Sequence, residues 1–279
     1  MLVTAMADGK MIDYGSVVSL QEAEMNRWRD LLSRHALVIF FALSYAISWS
    51  IALVLDGRLL PHGPMLAAMI VLGVTAGGAG VSGLWRQIVR RRAHWTWYKL
   101  APGIILAIHL GAFAANLLLG ATVLGGAHLQ PAFILLLAPL LLFGGQWEEP
   151  GWSGFALPRL QERFARHPFG LLLTNLTLSV LRAGWHLPLV LYGHIPWYDA
   201  ILFNFAFQFL ITWLYNASGG SVQVVMLFHL ASNLVFPVML PIFGGADRVR
   251  YHLLFIALAW LVVFAVRPVL ALKPGYASR

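Results

Sequence analysis

The sequence contains no cysteine and very little charge. The absence of cysteine excludes disulfide bridges, thiolate metal sites and any cysteine nucleophile. Charged residues make up 11% of the 279 residues and hydrophobic residues 59%, whereas a soluble domain has about 25% and about 45–50%. This composition excludes both an ordinary soluble enzyme and a disordered chain, and it indicates an integral membrane protein.

Long apolar runs recur along the chain at about the length that crosses a bilayer, which is roughly 20 residues. Because spans this long and continuous are too long for barrel strands, they are expected to be helices. We therefore predict an all-α, polytopic membrane bundle of about eight transmembrane helices, forming one domain over residues 36–279. We expect the fourth run to continue as a helix past Leu157, to about Arg163. The eight runs are 36–55, 64–85, 101–124, 131–157, 169–192, 200–217, 221–240 and 251–272.

The basic residues predict how the chain is oriented. Nineteen Lys and Arg against eleven Asp and Glu give a net charge of +8, which could indicate a nucleic-acid partner. The basic residues instead lie in the short gaps between apolar runs and at the two ends, as the positive-inside rule requires. We therefore predict no nucleic-acid partner and two cytoplasmic termini. The gaps after the second and fourth runs contain Arg86, Arg90, Arg91, Arg92, Lys99, Arg159, Arg163 and Arg166.

Residues 1–35 differ from the rest because they are polar and mixed in charge. They lack the features of a removable signal peptide. Ser19 and Glu22 have the spacing of a capping box, and the run from there to about Arg34 is amphipathic. We predict a cytoplasmic or interfacial amphipathic segment leading into the first span. The expected location is a bacterial inner (cytoplasmic) membrane.

A few ionisable residues fall inside the predicted spans, where a charge costs roughly 2.5–3.5 kcal/mol on insertion scales. Residues four apart share a helix face, so Arg182 and His186 point one way, as do His229 and Asn233. Converging in the bundle, such residues could activate a water molecule and stabilise an oxyanion. The alternative is a buried polar network that only holds helices together. The candidate site residues are Glu148, Glu149, Arg182, His186, His229 and Asn233, whereas Arg267 lies near the end of its span and can snorkel.

Three other intramembrane hydrolase chemistries can be compared with the sequence. The zinc-binding HExxH motif is absent, and the spans contain no pair of aspartates for an aspartyl protease. Gly151–Gly154 (GWSG) does match the G-x-S-G string that rhomboid serine proteases have around their nucleophile. A rhomboid-like protease with Ser153 as nucleophile is therefore one alternative.

Three stretches together resemble a known family. They are Glu148–Gln161 (EEPGWSGFALPRLQ), Trp185–Leu189 (WHLPL), and Thr212–Asn216 (TWLYN) running through Gly219–Ser221 to His229–Asn233 (HLASN). Their order, spacing and helix placement resemble the CPBP family (CAAX protease and bacteriocin-processing, or Abi) of intramembrane proteases. The resemblance covers roughly residues 131–240.

This resemblance implies a glutamate-dependent intramembrane endopeptidase with an all-helical, eight-span fold. By the family's pattern, Glu148 and His186 would hold and activate the hydrolytic water. His229 and Asn233 would donate hydrogen bonds to the oxyanion, and Glu149 would pair with an arginine one turn later. The implied partners are a membrane-associated peptide or protein substrate and the lipid bilayer.

The sequence departs from the family pattern at two positions. Where the pattern Glu-Glu-x-x-x-Arg has its arginine, this chain has Ser153, and four residues before His186 it has Arg182 instead of an aromatic residue. Because the arginine lost from one span reappears in another, we predict a buried ion pair between Glu149 and Arg182. Without that pair Glu149 would lose its counter-ion, and the chain would be a catalytically impaired relative.

Several alternatives stay open on the sequence alone. No cofactor is required, although Glu148, His186 and His229 could ligate zinc or another divalent metal. A non-catalytic scaffold or immunity-type protein on the same fold is the main alternative to a peptidase. An ion-coupled transporter would also use buried charges, but no inverted repeat is apparent. The substrate and its cleavage site are left open.

Overall fold

The computed structural model describes residues 4–7, 10–13, 24, 27, 29–90, 93–124, 139 and 142–270. Almost all of these residues are helical, which confirms the predicted all-α class of membrane protein. Five long helices and several shorter ones form a bundle. The main helices are α1 (Ala36–Trp49), α2 (Gly63–Val89), α3 (Trp95–Leu118), α4 (Glu149–Gly151), α5 (Leu157–Phe164), α6 (Gly170–Trp185), α7 (Leu187–Leu191), α8 (Asn204–Ala217), α9 (Val222–Met239) and α10 (Gly245–Leu270).

Among the described residues, five helices are long and apolar enough to cross a membrane. Helix α1 is apolar but only 14 residues long. Much of the predicted fourth span and the Ser19–Glu22 capping box lie outside the described residues. The count of eight spans and the cytoplasmic termini therefore stay predictions. The five helices cover Gly63–Val89, Trp95–Leu118, Asp199–Ala217, Val222–Ile242 and Gly245–Val266.

A short β-hairpin near the N-terminus is a described element that the hydropathy pattern did not predict. Thr4–Ala7 pairs antiparallel with Lys10–Asp13, and Ala7 faces Lys10 across a two-residue connection. The connecting sequence, Asp8-Gly9, is a strong hairpin signal because both residues tolerate a positive φ. The all-α prediction missed the hairpin because this signal stands between two strands of only four residues.

The predicted fourth span continues past Leu157, as expected, and its last helix ends at Phe164. It is not one regular helix. From Gly145 onward it consists of a 3₁₀ turn (Gly145–Glu148), α4, a π-helical turn (Trp152–Ala156) and α5. We call this stretch, residues 145–164, the motif segment. Such changes of helical pitch rotate the side chains that follow them, and π turns are frequent at functional sites.

The predicted fifth span is broken at His186, one of the candidate site residues. Helix α6 ends at Trp185, His186 caps it, and α7 begins at Leu187. Pro188 explains the break, because proline disfavours helical geometry in the residue before it and cannot donate an amide hydrogen bond. His186 therefore lies at a helix terminus rather than within a continuous span.

Turns with positive φ mark other boundaries. Gly77 (φ 62°, ψ −160°) kinks α2 in its middle. Gly219 and Gly220 (φ 74° and 79°) form the turn between α8 and α9. Ser221 then caps α9, since its Oγ accepts a hydrogen bond from the Val224 amide at 3.4 Å. The glycines and the serine of this motif are thus explained by the tight α8–α9 connection.

Two apolar clusters organise the bundle. One is built from α3, α8, α9 and α10, and it includes Leu210, Phe228 and Phe255. The other is built from α1, α2, α6 and the motif segment, and it includes Phe40 and Trp152. The polar residues of the motifs lie between the two clusters, where the motif segment and α6 meet α8 and α9.

Candidate active site

The carboxylate of Glu149 is fully buried and fully engaged. Its Oε1 accepts hydrogen bonds from Arg182 Nη2 (2.7 Å) and from His229 Nδ1 (2.7 Å). Its Oε2 accepts the Ser153 hydroxyl at 2.5 Å. The predicted ion pair with Arg182 is therefore present in the structure. Ser153 does not replace the family's arginine in charge, but it contacts the carboxylate from the position that the arginine would have.

Arg182 connects this carboxylate to a side chain that the sequence motifs did not indicate. Its Nη1 donates to Gln208 Oε1 at 3.1 Å, and Gln208 Nε2 in turn donates to Thr212 Oγ1 at 3.1 Å. The guanidinium lies between the rings of Trp152 and Phe207, 5.8 and 5.7 Å from their centroids. The buried cation is thus surrounded by polar partners and aromatic faces.

Gln208 was missed by sequence reasoning because a lone glutamine in an apolar helix matches no motif. It lies four residues before Thr212, which is part of a motif, and residues at this spacing contact each other on a helix. That spacing was the only signal in the sequence.

Glu148 is almost completely buried but is engaged at one oxygen only. Its Oε2 accepts the Trp152 indole N–H at 3.2 Å and faces Arg182 Nη2 at 3.5 Å. Its Oε1 has no hydrogen-bond partner among the described residues. A Cβ placed on Gly145 would lie 2.9 Å from this oxygen and 2.3 Å from His229 Nε2. The free oxygen of Glu148 and the outer nitrogen of His229 therefore border the same small space.

The two histidines are each fixed through Nδ1. His186 Nδ1 lies 2.7 Å from the carbonyl oxygen of Arg182, which can only accept, so this nitrogen carries a proton. His229 Nδ1 donates to the Glu149 carboxylate in the same way. In both rings Nε2 is left for other contacts. Such hydrogen bonds orient an imidazole and select its tautomer.

Asn233 lies one turn beyond His229 on α9 and is partly buried. It forms no hydrogen bond with any residue that the structure describes. The other five residues singled out from the sequence belong to one hydrogen-bonded network around Arg182 and Glu149. Asn233 shares a helix face with one of them, His229. The catalytic roles of all these residues stay predictions.

The geometry disfavours the serine-protease alternative. In such an enzyme the serine contacts a histidine, which in turn contacts a carboxylate. Here the carboxylate of Glu149 stands in the middle, with Ser153 on one oxygen and His229 on the other. Within the described part of the chain, no histidine contacts the Ser153 hydroxyl.

Within the described residues, no group of three or more His, Cys, Asp or Glu side chains is arranged to hold a metal ion. The set left open from the sequence was Glu148, His186 and His229. Each of these side chains is oriented by a protein contact to one of its polar atoms. This set is not among such groups in the described part of the chain.

Part of the chain is similar to known proteins. Residues 129–235 match the family model described as "Type II CAAX prenyl endopeptidase Rce1-like". This part of the chain is therefore similar to the CPBP/CAAX protease family. All six candidate site residues lie within the matched region.

A curated relative supports the same family. The chain is 24% identical over 151 residues to the protein named CAAX prenyl protease 2 of Methanococcus maripaludis. This alignment covers 50% of the chain and 53% of the relative, so the chain spans about half the length of that protein. The matched part of the chain is thus distantly similar to CAAX proteases, and it departs from the family pattern described above at Ser153 and Arg182.

Proposed function

We propose that this chain is an intramembrane endopeptidase that cleaves a membrane-associated peptide or protein with a water molecule activated by Glu148. One observation carries the proposal: the two adjacent glutamates differ in how many of their carboxylate oxygens accept hydrogen bonds. Glu149 accepts three hydrogen bonds and is held in place on both oxygens. Glu148 keeps one oxygen free beside His229 Nε2. A buried carboxylate with a free oxygen next to an imidazole is an arrangement that suits general acid–base catalysis.

The first step adds water to the scissile carbonyl. Glu148 Oε1 accepts a proton as the water oxygen bonds to the carbonyl carbon, and His186 Nε2 holds the same water. The carbonyl oxygen becomes an oxyanion, which accepts hydrogen bonds from His229 Nε2 and from the Asn233 amide. For His229 to donate through Nε2 its ring must carry both protons, and the Glu149 carboxylate at 2.7 Å stabilises that imidazolium.

The second step breaks the peptide bond. Glu148 returns its proton to the amide nitrogen, the carbon–nitrogen bond breaks, and a carboxylic acid and an amine are released. With Glu148 and Glu149 ionised and Arg182 and His229 protonated, the four groups sum to zero charge before the reaction. A site neutral overall avoids most of the cost of burying an isolated charge.

The decisive experiment compares Glu148→Gln with Glu162→Gln in purified protein. Glu162 is exposed on α5 and has the same chemistry without any part in the site. A quenched peptide library in detergent should be cleaved by the wild type and by Glu162→Gln. Glu148→Gln should lose activity by at least about 100-fold, the lower range of general acid–base contributions.

Two outcomes would contradict the proposal. Full activity in Glu148→Gln would remove the water-activation mechanism. No cleavage by the wild type, of library or of membrane-anchored peptides, would favour the non-catalytic scaffold built on the same fold.

A further inference from the structure

Gly145 stands where a side chain would meet the two groups proposed to react. A Cβ at this position would lie 2.3 Å from His229 Nε2, 2.8 Å from His229 Cε1 and 2.9 Å from Glu148 Oε1. All three distances are shorter than real Cβ contacts allow. The glycine therefore leaves open a space that is bordered by the free ends of Glu148 and His229.

The backbone gives no reason for glycine at this position. Gly145 is the first residue of the 3₁₀ turn, and its φ is not in the left-handed region that favours glycine. An alanine fits the same backbone conformation without strain. What glycine contributes here is the absence of a side chain.

The side chains around this space cannot move aside without losing their own contacts. His229 is held by Glu149 at 2.7 Å, and its ring meets Phe207 edge-on at 4.9 Å. Glu148 is held at its other oxygen by Trp152. The clash with a methyl group at residue 145 would be relieved by displacing the His229 ring or the Glu148 carboxylate. Because these are side-chain atoms, the backbone would need little change.

We infer that Gly145 is a positioning residue, which reserves the space for the reacting oxygen between Glu148 and His229. An oxygen atom in hydrogen-bond range of both groups lies between them, close to the place that a side chain at residue 145 would take. The inference rests on the proposed function for the identity of the reaction. The geometry of the space does not depend on it.

The test is Gly145→Ala, with Gly103→Ala as matched control. Gly103 is an exposed glycine of α3, and its Cβ would meet nothing within 4 Å. We expect Gly145→Ala to lower kcat by at least about 100-fold, as misplacement by about 1 Å does, with KM little changed. The melting temperature in detergent should fall by no more than a few degrees, because the displaced atoms are side-chain ends and not backbone. Gly103→Ala should leave kcat and KM unchanged and should not lower the melting temperature, since alanine favours the helix more than glycine does.

A second measurement, by NMR, tests the surroundings of the His229 ring and does not require that the protein cleaves a peptide. In protein labelled with ¹⁵N-histidine, the ring resonances of His229 are assigned by their loss in His229→Gln. They should shift in Gly145→Ala and stay in place in Gly103→Ala. If the wild type cleaves no peptide but this shift is found, the proposed function fails while the inferred space stands.

Three results would overturn the inference. An unchanged kcat in Gly145→Ala with an active wild type would show that the space is not used. Unmoved His229 resonances would show that the methyl group does not reach the ring. A melting temperature lowered by many degrees would make Gly145 a residue of helix packing.

Discussion

At the scale of single residues, the cost of buried charge decides the arrangement around Glu149. Neither Glu149 nor Arg182 is more than 1% exposed, and each would be strongly destabilising alone. Their contact at 2.7 Å, with Ser153 and Gln208 on other atoms of the pair, offsets that cost. An arginine on α6 therefore meets the same need as an arginine one turn along the motif segment.

A double-mutant cycle with Glu149→Gln and Arg182→Leu tests this ion pair. Each single change should destabilise the protein by roughly 3–5 kcal/mol, because it leaves a buried charge without its partner. The double change should cost less than the sum, with a coupling of about 1–3 kcal/mol. The stabilities of the wild type, the two single variants and the double variant are compared by thermal melting in detergent.

The control for this cycle is the partly exposed pair of Asp247 and Arg250, which lie 2.8 Å apart with side chains 24% and 35% exposed. Asp247→Asn and Arg250→Gln should couple by at most about 1 kcal/mol. Equal coupling in the two cycles would contradict a special role for the buried pair. As a functional complement, Ser153→Arg should restore activity to an Arg182→Trp protein, since residue 153 already contacts Glu149 Oε2.

At the scale of elements, the motif segment depends on a close approach to α2. A Cβ on Gly151 would lie 2.3 Å from the carbonyl oxygen of Pro64 and 2.4 Å from its carbonyl carbon. These are backbone atoms, so they cannot turn away as a side chain would. The glycine therefore sets the distance between α2 and the segment that carries both glutamates.

Gly151→Ala should accordingly destabilise the protein by about 1–3 kcal/mol, the usual cost of overpacking. It should also lower peptidase activity, because the motif segment must shift. Gly103→Ala, which adds the same methyl group in open space, should not destabilise. Melting curves and peptide cleavage measured on both variants check this prediction. Equal stability of the two would mean that α2 and the motif segment can separate freely.

At the scale of the whole molecule, the site lies between two apolar clusters that belong to different helix groups. The motif segment and α6 belong to one cluster, and α8 and α9 belong to the other. The polar contacts of Arg182 with Gln208 and of Glu149 with His229 cross this boundary. Hydrogen bonds across such a boundary fix how the two groups meet, because buried polar groups must find partners.

Topology is the prediction that belongs to this scale. The excess of Arg and Lys in alternate gaps predicts that both termini lie in the cytoplasm. Fusion of a reporter active only in the cytoplasm to the C-terminus should therefore give signal, and a reporter active only outside should not. The opposite pattern would contradict the predicted cytoplasmic C-terminus, and with it either the orientation or the even number of spans. A fusion after Gly193, in the gap after the fifth run, should give the reverse pattern to the C-terminal fusion.

The sequence by itself determined the class of the protein and most of the candidate site. Its apolar composition requires lipid around helices, and this holds for any arrangement of those helices. The motifs indicated Glu148, Glu149, His186 and His229. The relocated arginine predicted the ion pair, because a buried charge needs an opposite one.

Only the tertiary structure decided which atoms of those residues meet. Sequence spacing shows which side chains share a helix face, but it does not give the depth or rotation of one helix against another. Gln208, Trp152 and Gly145 acquire their importance through contacts between helices or within irregular turns, and no motif marks their contacts. The 3₁₀ and π turns of the motif segment rotate its side chains by amounts that a regular helix does not predict. For this reason the different surroundings of Glu148 and Glu149, adjacent in the chain, follow from the packing of the helices around them.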